Sequence, residues 1–241
     1  MIPAFIIPVI NRFDLLTRCI ESIDHPVREL LVIDNSDRSE AENYVMDAVE
    51  ANPQLDTTTQ VWVINPRRNL GVAASWNMGI RQFPAEKWWC IANADTEFAE
   101  GDLARLCAEM THPGARWVGM SGDWRVFGLA GSVVRKVGWF DENFHPIYCE
   151  DADYERRCTL AGVPWYFLPG TSTHHGSVSW KSDDQGGRNN ARTYPENVAY
   201  YVRKWGAPPR SGEHFTTPFD AGGSLADWRL DIDRLRDLEW R

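Results

Sequence analysis

Ala4-Phe5-Ile6-Ile7-Pro8-Val9-Ile10-Asn11-Arg12-Phe13-Asp14 begins as a short apolar run and turns polar within two residues of its end. A run of that length and composition suits a strand buried on both faces of a parallel sheet. Asp14 reads as the N-cap of a helix that carries Leu15, Cys19, Ile20 and Ile23 on one stripe. Leu30-Leu31-Val32-Ile33 follows as a second buried strand, closed by the turn-forming Asp34-Asn35-Ser36-Asp37. The alternation continues with a helix over 40–50, a strand over 61–64, a helix over 72–82, a strand over 88–92 and a helix over 103–110. Units of this length imply right-handed crossovers and a mainly parallel α/β sheet flanked by helices.

The second half is less regular. A strand is expected over 127–135, a helix over 151–161, a strand over 165–168 and a short helix over 197–205. Between the last two, residues 177–190 are rich in Ser, Asp, Gly and Asn and read as a loop. Ser224 and Asp227 form a capping box ahead of Leu225, Trp228, Ile232 and Leu235 at helical spacing.

Composition narrows the class. With 241 residues, 43% hydrophobic and 24% charged, the chain is neither disordered, collagenous nor a disulfide scaffold. Its first apolar run is broken by Pro8, too short for a bilayer and without a preceding basic region, so the cytoplasm is the expected location. Five cysteines, an odd number with no C-x-x-C pair, fit reduced thiols. The net charge of −9 argues against a nucleic acid partner.

Ligands of parallel α/β sheets bind beyond the carboxyl ends of the strands. Those ends carry Asp34, Arg67-Arg68-Asn69 and Asn93-Ala94-Asp95. No dinucleotide fingerprint, phosphate loop, nucleophile elbow or zinc pattern accompanies them. Asp95 reads either as a ligand for Mg²⁺ or Mn²⁺ shared with a diphosphate or as a cap of the next turn. Glu150-Asp151-Ala152-Asp153 places three acids in four residues at a helix start, more than the helix dipole requires, so one of them suits a general base. His174-His175 reads either as a metal ligand or as a core histidine.

In order and spacing, these segments resemble the family 2 type of inverting glycosyltransferases. The likeness rests on Ile6-Ile7-Pro8-Val9-Ile10-Asn11-Arg12, Leu31-Val32-Ile33-Asp34-Asn35-Ser36, and the N-x-G-x-x-x-x-x-N-x-G stretch from Asn69 to Gly79. It continues through Ile91-Ala92-Asn93-Ala94-Asp95, Gly138-Trp139-Phe140-Asp141-Glu142-Asn143-Phe144, Glu150-Asp151-Ala152-Asp153 and His174-His175-Gly176. The resemblance implies a GT-A, Rossmann-like fold with a smaller acceptor-side subregion. It implies a core over 1–180, on which a C-terminal loop and helical extension, 181–241, packs.

The implied activity moves a sugar from a nucleotide-diphosphate donor, a UDP-sugar above all, to an acceptor hydroxyl with inversion. By the same resemblance Asp151 is the general base, with Glu150 in reserve. Pro8, Asn11, Asp34, Arg68, Asn69, Asn77, Asn93 and Asp95 bind the nucleotide sugar, and Asp95 and His174 hold Mn²⁺ or Mg²⁺. Asn93 departs from the family's acidic first metal-motif position, which removes one negative charge near the diphosphate. The acceptor class stays open among glycan, protein, lipid-linked and small-molecule hydroxyls. Two other readings are a non-catalytic nucleotide- or glycan-binding module and sugar transfer to a modified nucleic acid base.

Overall fold

A computed structural model describes residues 1–38, 40–114, 116–174 and 185–220. Its first half runs β1 (Ile2–Val9), α1 (Phe13–Glu21), β2 (Val27–Asp34), α2 (Ala41–Ala51), β3 (Gln60–Ile64), α3 (Val72–Gln82), β4 (Trp88–Ala92), β5 (Thr96–Glu97) and α4 (Asp102–Thr111). The second half adds β6 (Trp117–Met120), β7 (Asp123–Ala130), α5 (Gly131–Val137), α6 (Glu150–Leu160), β8 (Trp165–Leu168), β9 (Thr173–His174) and α7 (Gln185–Trp205).

Seven strands form one sheet in the order β3-β2-β1-β4-β7-β6-β8, and β5 pairs with β9 in a separate ladder. Every strand of the large sheet is parallel to its neighbours except β7, which runs against β4 and β6. The apolar opening run behaves as its composition dictates: Ala4, Phe5, Ile6 and Ile7 are wholly buried in the middle of the sheet. All five cysteines are buried as thiols.

Several expectations change. Asp14 does not cap α1; Arg12 occupies that position at φ 56 with no side-chain cap, and Asp14 lies in the first turn, where it pairs with the Arg12 guanidinium. The strand expected over 127–135 is shifted, because β7 starts at Asp123 and Gly131 begins α5. β6 was not anticipated; Trp117, Val118 and Met120 are buried in it beside Phe127. Residues 185–190, expected as loop, are helical despite Gly186 and Gly187, since tertiary packing of the later turns outweighs local propensity. The rest of that expected loop, the capping box at Ser224 and the boundary at 180 lie outside the described residues.

α7 closes the second half by burying Tyr200, Tyr201 and Trp205 against Phe144, Cys149, Ala152 and Phe219. Within this cluster the Lys204 ammonium is buried, 2.7 Å from both Asp141 Oδ2 and Asp153 Oδ1. Trp205 Nε1 and Arg157 Nε also donate to Asp153, each at 2.8 Å. Burial alone would raise the Asp153 pKa, but Lys204 and Arg157 hold it below the usual carboxylate range.

Lys204→Met leaves buried Asp141 without its cation and Asp153 with Arg157 alone, and urea denaturation should show a loss of about 3–5 kcal/mol. In the wild type, the depressed folded pKa of Asp153 gives stability that is complete above about pH 4, the unfolded value, and disappears as pH falls through the folded one. An acid-unfolding midpoint unchanged in Lys204→Met would contradict that account.

Candidate functional site

The chain leaves β1 to make β2 and β3 on one side, then returns to place β4 on the other. This reversal opens a cleft beyond the carboxyl ends of β1 and β4, where such sheets take their ligands. The cleft encloses about 320 Å³, within the range of small-molecule sites. Pro8, Asn11 and Arg12 line one wall, Asn93, Ala94 and Asp95 a second, and Tyr148, Glu150 and Asp151 a third. Asn35, Asn69, Gly71, Trp76, Asp123, Trp124 and Arg125 also line it.

Each wall has a local cause. Asn35 at the end of β2 donates its backbone N–H to the Val9 carbonyl (2.7 Å), and its side-chain oxygen accepts the Leu70 N–H (3.0 Å). The Asn35 amide also donates to Ser75 Oγ at 3.0 Å, so one buried residue ties β2, the 70-loop and α3 together. Asn69 Oδ1 accepts the Gly71 N–H (2.7 Å) at the start of α3. On the third wall, Tyr148 and Cys149 both have positive φ, 81° and 76°, a costly conformation that turns the chain into α6 so that Glu150 and Asp151 line the cleft.

Of the residues singled out from sequence, Pro8, Asn11, Asn69, Asn93, Asp95, Glu150 and Asp151 line this one cleft. Asp34 lies beneath it, wholly buried, accepting the N–H groups of Ser36 (2.9 Å) and Ala41 (3.4 Å). Arg68 is exposed on the 70-loop and does not line the cleft. Asn77 is wholly buried; its amide bonds Phe140 and Glu142 and locks α3 to the segment after α5. Asp141 and Asp153, also in the recognised motifs, hold Lys204.

For His174 the backbone speaks: β9 lies antiparallel to β5 with His174 opposite Thr96, the residue after Asp95. His175 lies outside the described residues. Among the described residues, no three His, Cys, Asp or Glu side chains form a metal cluster.

Sequence reasoning missed Arg12 and Arg125 as cleft residues. Arg125 grips Asp123 through Nε and Nη2 (2.6–2.9 Å) and donates Nη1 to the Ser172 carbonyl (3.2 Å). Its place near the start of β7, two residues after Asp123, carries no sequence motif of its own.

The carboxylates differ in environment. Burial raises the Glu150 pKa well above the ordinary value, with the Asp151 charge adding to it, and Glu150 Oε2 has no hydrogen-bond partner. Asp151 is raised by burial too, but backbone N–H donation and Arg210, at 3.5 Å, work against that rise. Arg210 is held by Glu155 through two N–H groups (3.0 and 2.8 Å), and Glu155 also accepts Trp124 Nε1–H at 2.7 Å.

A strand-order reversal on a mostly parallel sheet, with a cleft beyond the carboxyl strand ends, is where open α/β sheets bind their ligands. Residues 4–146, more than half of the chain, match the family model for Glycosyl transferase family 2, and the chain belongs to that family. A galactofuranosyl glycosyltransferase of Leishmania donovani is 35% identical over 136 residues, 46% of this chain and 31% of its own length. The chain thus spans about a third of that relative.

Solved structures share the fold. The mannosyltransferase PcManGT from Pyrobaculum calidifontis, in complex with GDP-Man and Mn²⁺, superposes with a TM-score of 0.61 at 15% identity, over 97% of this chain and 78% of its own. GalNAc-T7 with UDP, GalNAc and Mn²⁺ gives 0.57 at 12% identity, over 85% of this chain and 50% of its own. TarS of S. aureus gives 0.55 at 12% identity, over 84% and 40%. The fold is GT-A, and the chain carries a glycosyltransferase domain. Among the described residues no helix is long and apolar enough to cross a membrane.

Gly71 admits a direct test of how tightly the cleft floor is built. Its φ is +78°, and a Cβ there would lie 2.7 Å from His145 Cδ2 and 2.8 Å from the Pro146 carbonyl oxygen. Gly101 has φ +82° and open space around it. Gly71→Ala should cost about 2–3 kcal/mol in urea denaturation, against about 1 kcal/mol for Gly101→Ala, since only the first adds a clash to the backbone strain.

Proposed function

We propose that this chain transfers a sugar from a nucleoside-diphosphate sugar to an acceptor hydroxyl with inversion, using a divalent cation, with Asp151 as general base. The observation that carries the reading is the convergence of Asp95 and Asp151 on one cleft from different walls. The PcManGT and GalNAc-T7 structures, with their nucleotide ligands and Mn²⁺, lend it support through the shared fold.

Asp95 is a hard oxygen donor, and the β5–β9 register sets the His174 backbone beside it, a donor set that suits Mn²⁺ or Mg²⁺ with further oxygens supplied by a diphosphate. Asp95 and His174 would hold the ion, which when bound stabilises negative charge on the departing diphosphate. Arg12 and Arg125 line the same cleft and add fixed positive charge near Asp95. Pro8, Asn11, Asn69 and Asn93 line the space for the nucleotide and sugar, with Asp34 and Asn77 supporting it from beneath.

In the proposed reaction the acceptor oxygen attacks the anomeric carbon while the bond to the diphosphate oxygen breaks. Its proton passes to Asp151, configuration inverts, and no covalent enzyme intermediate forms. Glu150 is the harder of the two to ionise, because burial and the neighbouring Asp151 charge raise its proton affinity well above the ordinary carboxylate's. That leaves Asp151 as the carboxylate able to accept. The core over 1–180 carries this chemistry, with the C-terminal segment packed on it. Five buried thiols suit a reducing compartment, and the cytoplasm is the proposed location.

Calorimetry of UDP, GDP and dTDP with their common sugar conjugates, with and without Mn²⁺, tests the donor side. Binding of one nucleotide sugar should require the metal and be lost in Asp95→Ala; metal-independent binding that survives the substitution refutes the metal role. With the donor identified, Asp151→Asn should lower transfer by about 10²–10⁴-fold while leaving donor affinity intact.

The pH profile of kcat/KM gives a further check. Because burial raises Asp151, activity should rise with pH along a limb above the ordinary Asp value of about 3.9. Arg210→Met removes a cation that favours the ionised form, and the limb should move to still higher pH.

A further inference from the structure

Asp151 and Glu155 are four residues apart on α6, so they stand one turn apart on the same side of the helix. One guanidinium serves both. Arg210 donates Nε to Glu155 Oε2 (3.0 Å) and Nη2 to Glu155 Oε1 (2.8 Å), the planar two-point grip that arginine makes on a carboxylate. The same Nη2 is 3.5 Å from Asp151 Oδ2, beyond the length of a direct charge-assisted hydrogen bond. The fork is engaged by Glu155, and Asp151 receives the charge without the bond.

Glu155 is itself held in place. It is buried, and its Oε1 also accepts Trp124 Nε1–H at 2.7 Å. Trp124 packs between Trp76 and Trp117, with ring centres 5.9 and 4.2 Å away, so the indole is fixed in its turn. At the other end, the Arg210 backbone stands at φ 58, a costly conformation for a residue with a side chain. Its N–H donates to Glu213 Oε1 (2.6 Å), which also accepts the buried Tyr201 hydroxyl of α7 (2.7 Å). The backbone of Arg210 is thus fixed from α7, and its head group from α6 and β7.

The fork matters because two carboxylates compete for it. With the Glu155 charge removed, Asp151 is the other carboxylate within ion-pair reach of the guanidinium. A two-point grip on Asp151 would occupy both of its oxygens and favour its ionised form, leaving a weak base turned away from a hydroxyl. The other charged groups lining the cleft with Asp151 are Arg12, Asp95, Asp123, Arg125 and Glu150. Arg12 is paired with Asp14 and Arg125 with Asp123, which leaves Arg210 as the cation that acts on Asp151.

We propose that Glu155 is a positioning residue for the transfer. With Trp124 it parks the Arg210 guanidinium one turn from Asp151, near enough to orient the base and too far to occupy it. The proposal rests on the reading of Asp151 as the base. Glu155 acts through Arg210 and takes no proton in the reaction.

The test reads Asp151 directly and needs no substrate. Carbon-13 NMR of the side-chain carboxyls in the full chain follows the Asp151 titration, its signal identified by its loss in Asp151→Asn. In Glu155→Gln, which keeps the side-chain shape, the freed guanidinium should close on Asp151. The midpoint should fall by about one pH unit, a tenfold drop in proton affinity. Arg210→Met should move the midpoint the other way. In the Arg210→Met background, Glu155→Gln should lower the midpoint by much less than it does in the wild type, because no guanidinium is then released.

Equal shifts from Glu155→Gln with and without Arg210 would overturn the proposal, since Glu155 would then act by its own charge alone. So would an unchanged midpoint, or a rise in the single variant, which means that the guanidinium leaves Asp151 when Glu155 lets go. The wild type supplies a second reading should Glu155→Gln fail to fold. The Arg210 Nε–H signal, assigned by its loss in Arg210→Met, should be protected from exchange with water; exchange as fast as that of a free surface arginine sinks the clamp. The base assignment fails separately: transfer that survives Asp151→Asn removes Asp151 as the base and leaves the measured midpoints intact.

Discussion

Lys204 lies wholly buried between two carboxylates that come from separate segments, Asp141 after α5 and Asp153 on α6. A desolvated ammonium is tolerated only with such partners, so α7, the 141-segment and α6 must meet in one geometry. Tyr200 adds its hydroxyl to Asp141 at 2.8 Å, and Trp205 adds its indole N–H to Asp153. The consequence reaches the cleft through helix geometry. Residues two apart on a helix are turned by about 200°. With Asp153 committed to the strut, Asp151 is directed to the opposite side of α6, where the cleft opens. The run of acids at the start of α6 is thus divided by helical phase, one for packing and one for the proposed chemistry.

Glu150 and Asp151 show how adjacent carboxylates acquire different proton affinities. Glu150 is nearly inaccessible, and the Asp151 charge beside it makes its ionisation still less favourable. Asp151 is also desolvated but keeps Arg210 and a backbone N–H as partners. Pairs whose environments separate their proton affinities are the usual means of assigning an acid and a base. The cation concerned comes from the segment after α7. That segment therefore enters the proposed chemistry by holding Glu155 and facing Asp151, without supplying the reacting group.

The sequence pattern made the first half of the fold legible because β1, β2 and β4 are largely buried on both faces and the helices carry one apolar stripe. Residues 72–82 and 88–92 fall within the helix and strand observed there. It misled where a strand passes into a helix with no Pro, Asn or Asp to mark the junction: Leu129-Ala130-Gly131-Ser132-Val133-Val134 carries no charged residue and is mostly apolar, so β7 and α5 read as one strand. At the cleft, Asp95 and Asp151 were visible as acids at strand and helix ends. Asn77, Asp141 and Asp153 carry the same look, yet their bonds hold packing together. Arg125 and Arg210 were invisible for a different reason: their relevance is created by long-range contacts, with Ser172 for one and with Glu155 and Asp151 for the other.

The reversed direction of β7 is what brings Trp124 and Arg125 to the cleft at all. In a parallel strand, residues at the amino end would lie at the far edge of the sheet. Running antiparallel to β4, β7 sets Val126 opposite Ala92, and Asn93 donates its N–H to the Arg125 carbonyl at 2.8 Å. Arg125 then reaches Ser172, whose own N–H is held by Asp102 Oδ2 (3.0 Å), and this fixes the approach of β9 to β5 beside Asp95. The region matched by the family model ends at residue 146, before α6, β8 and Arg210. On the proposed chemistry, the donor side is therefore built largely from the region shared with the family. The proposed base, Asp151, and the Arg210 that faces it lie in the chain beyond it.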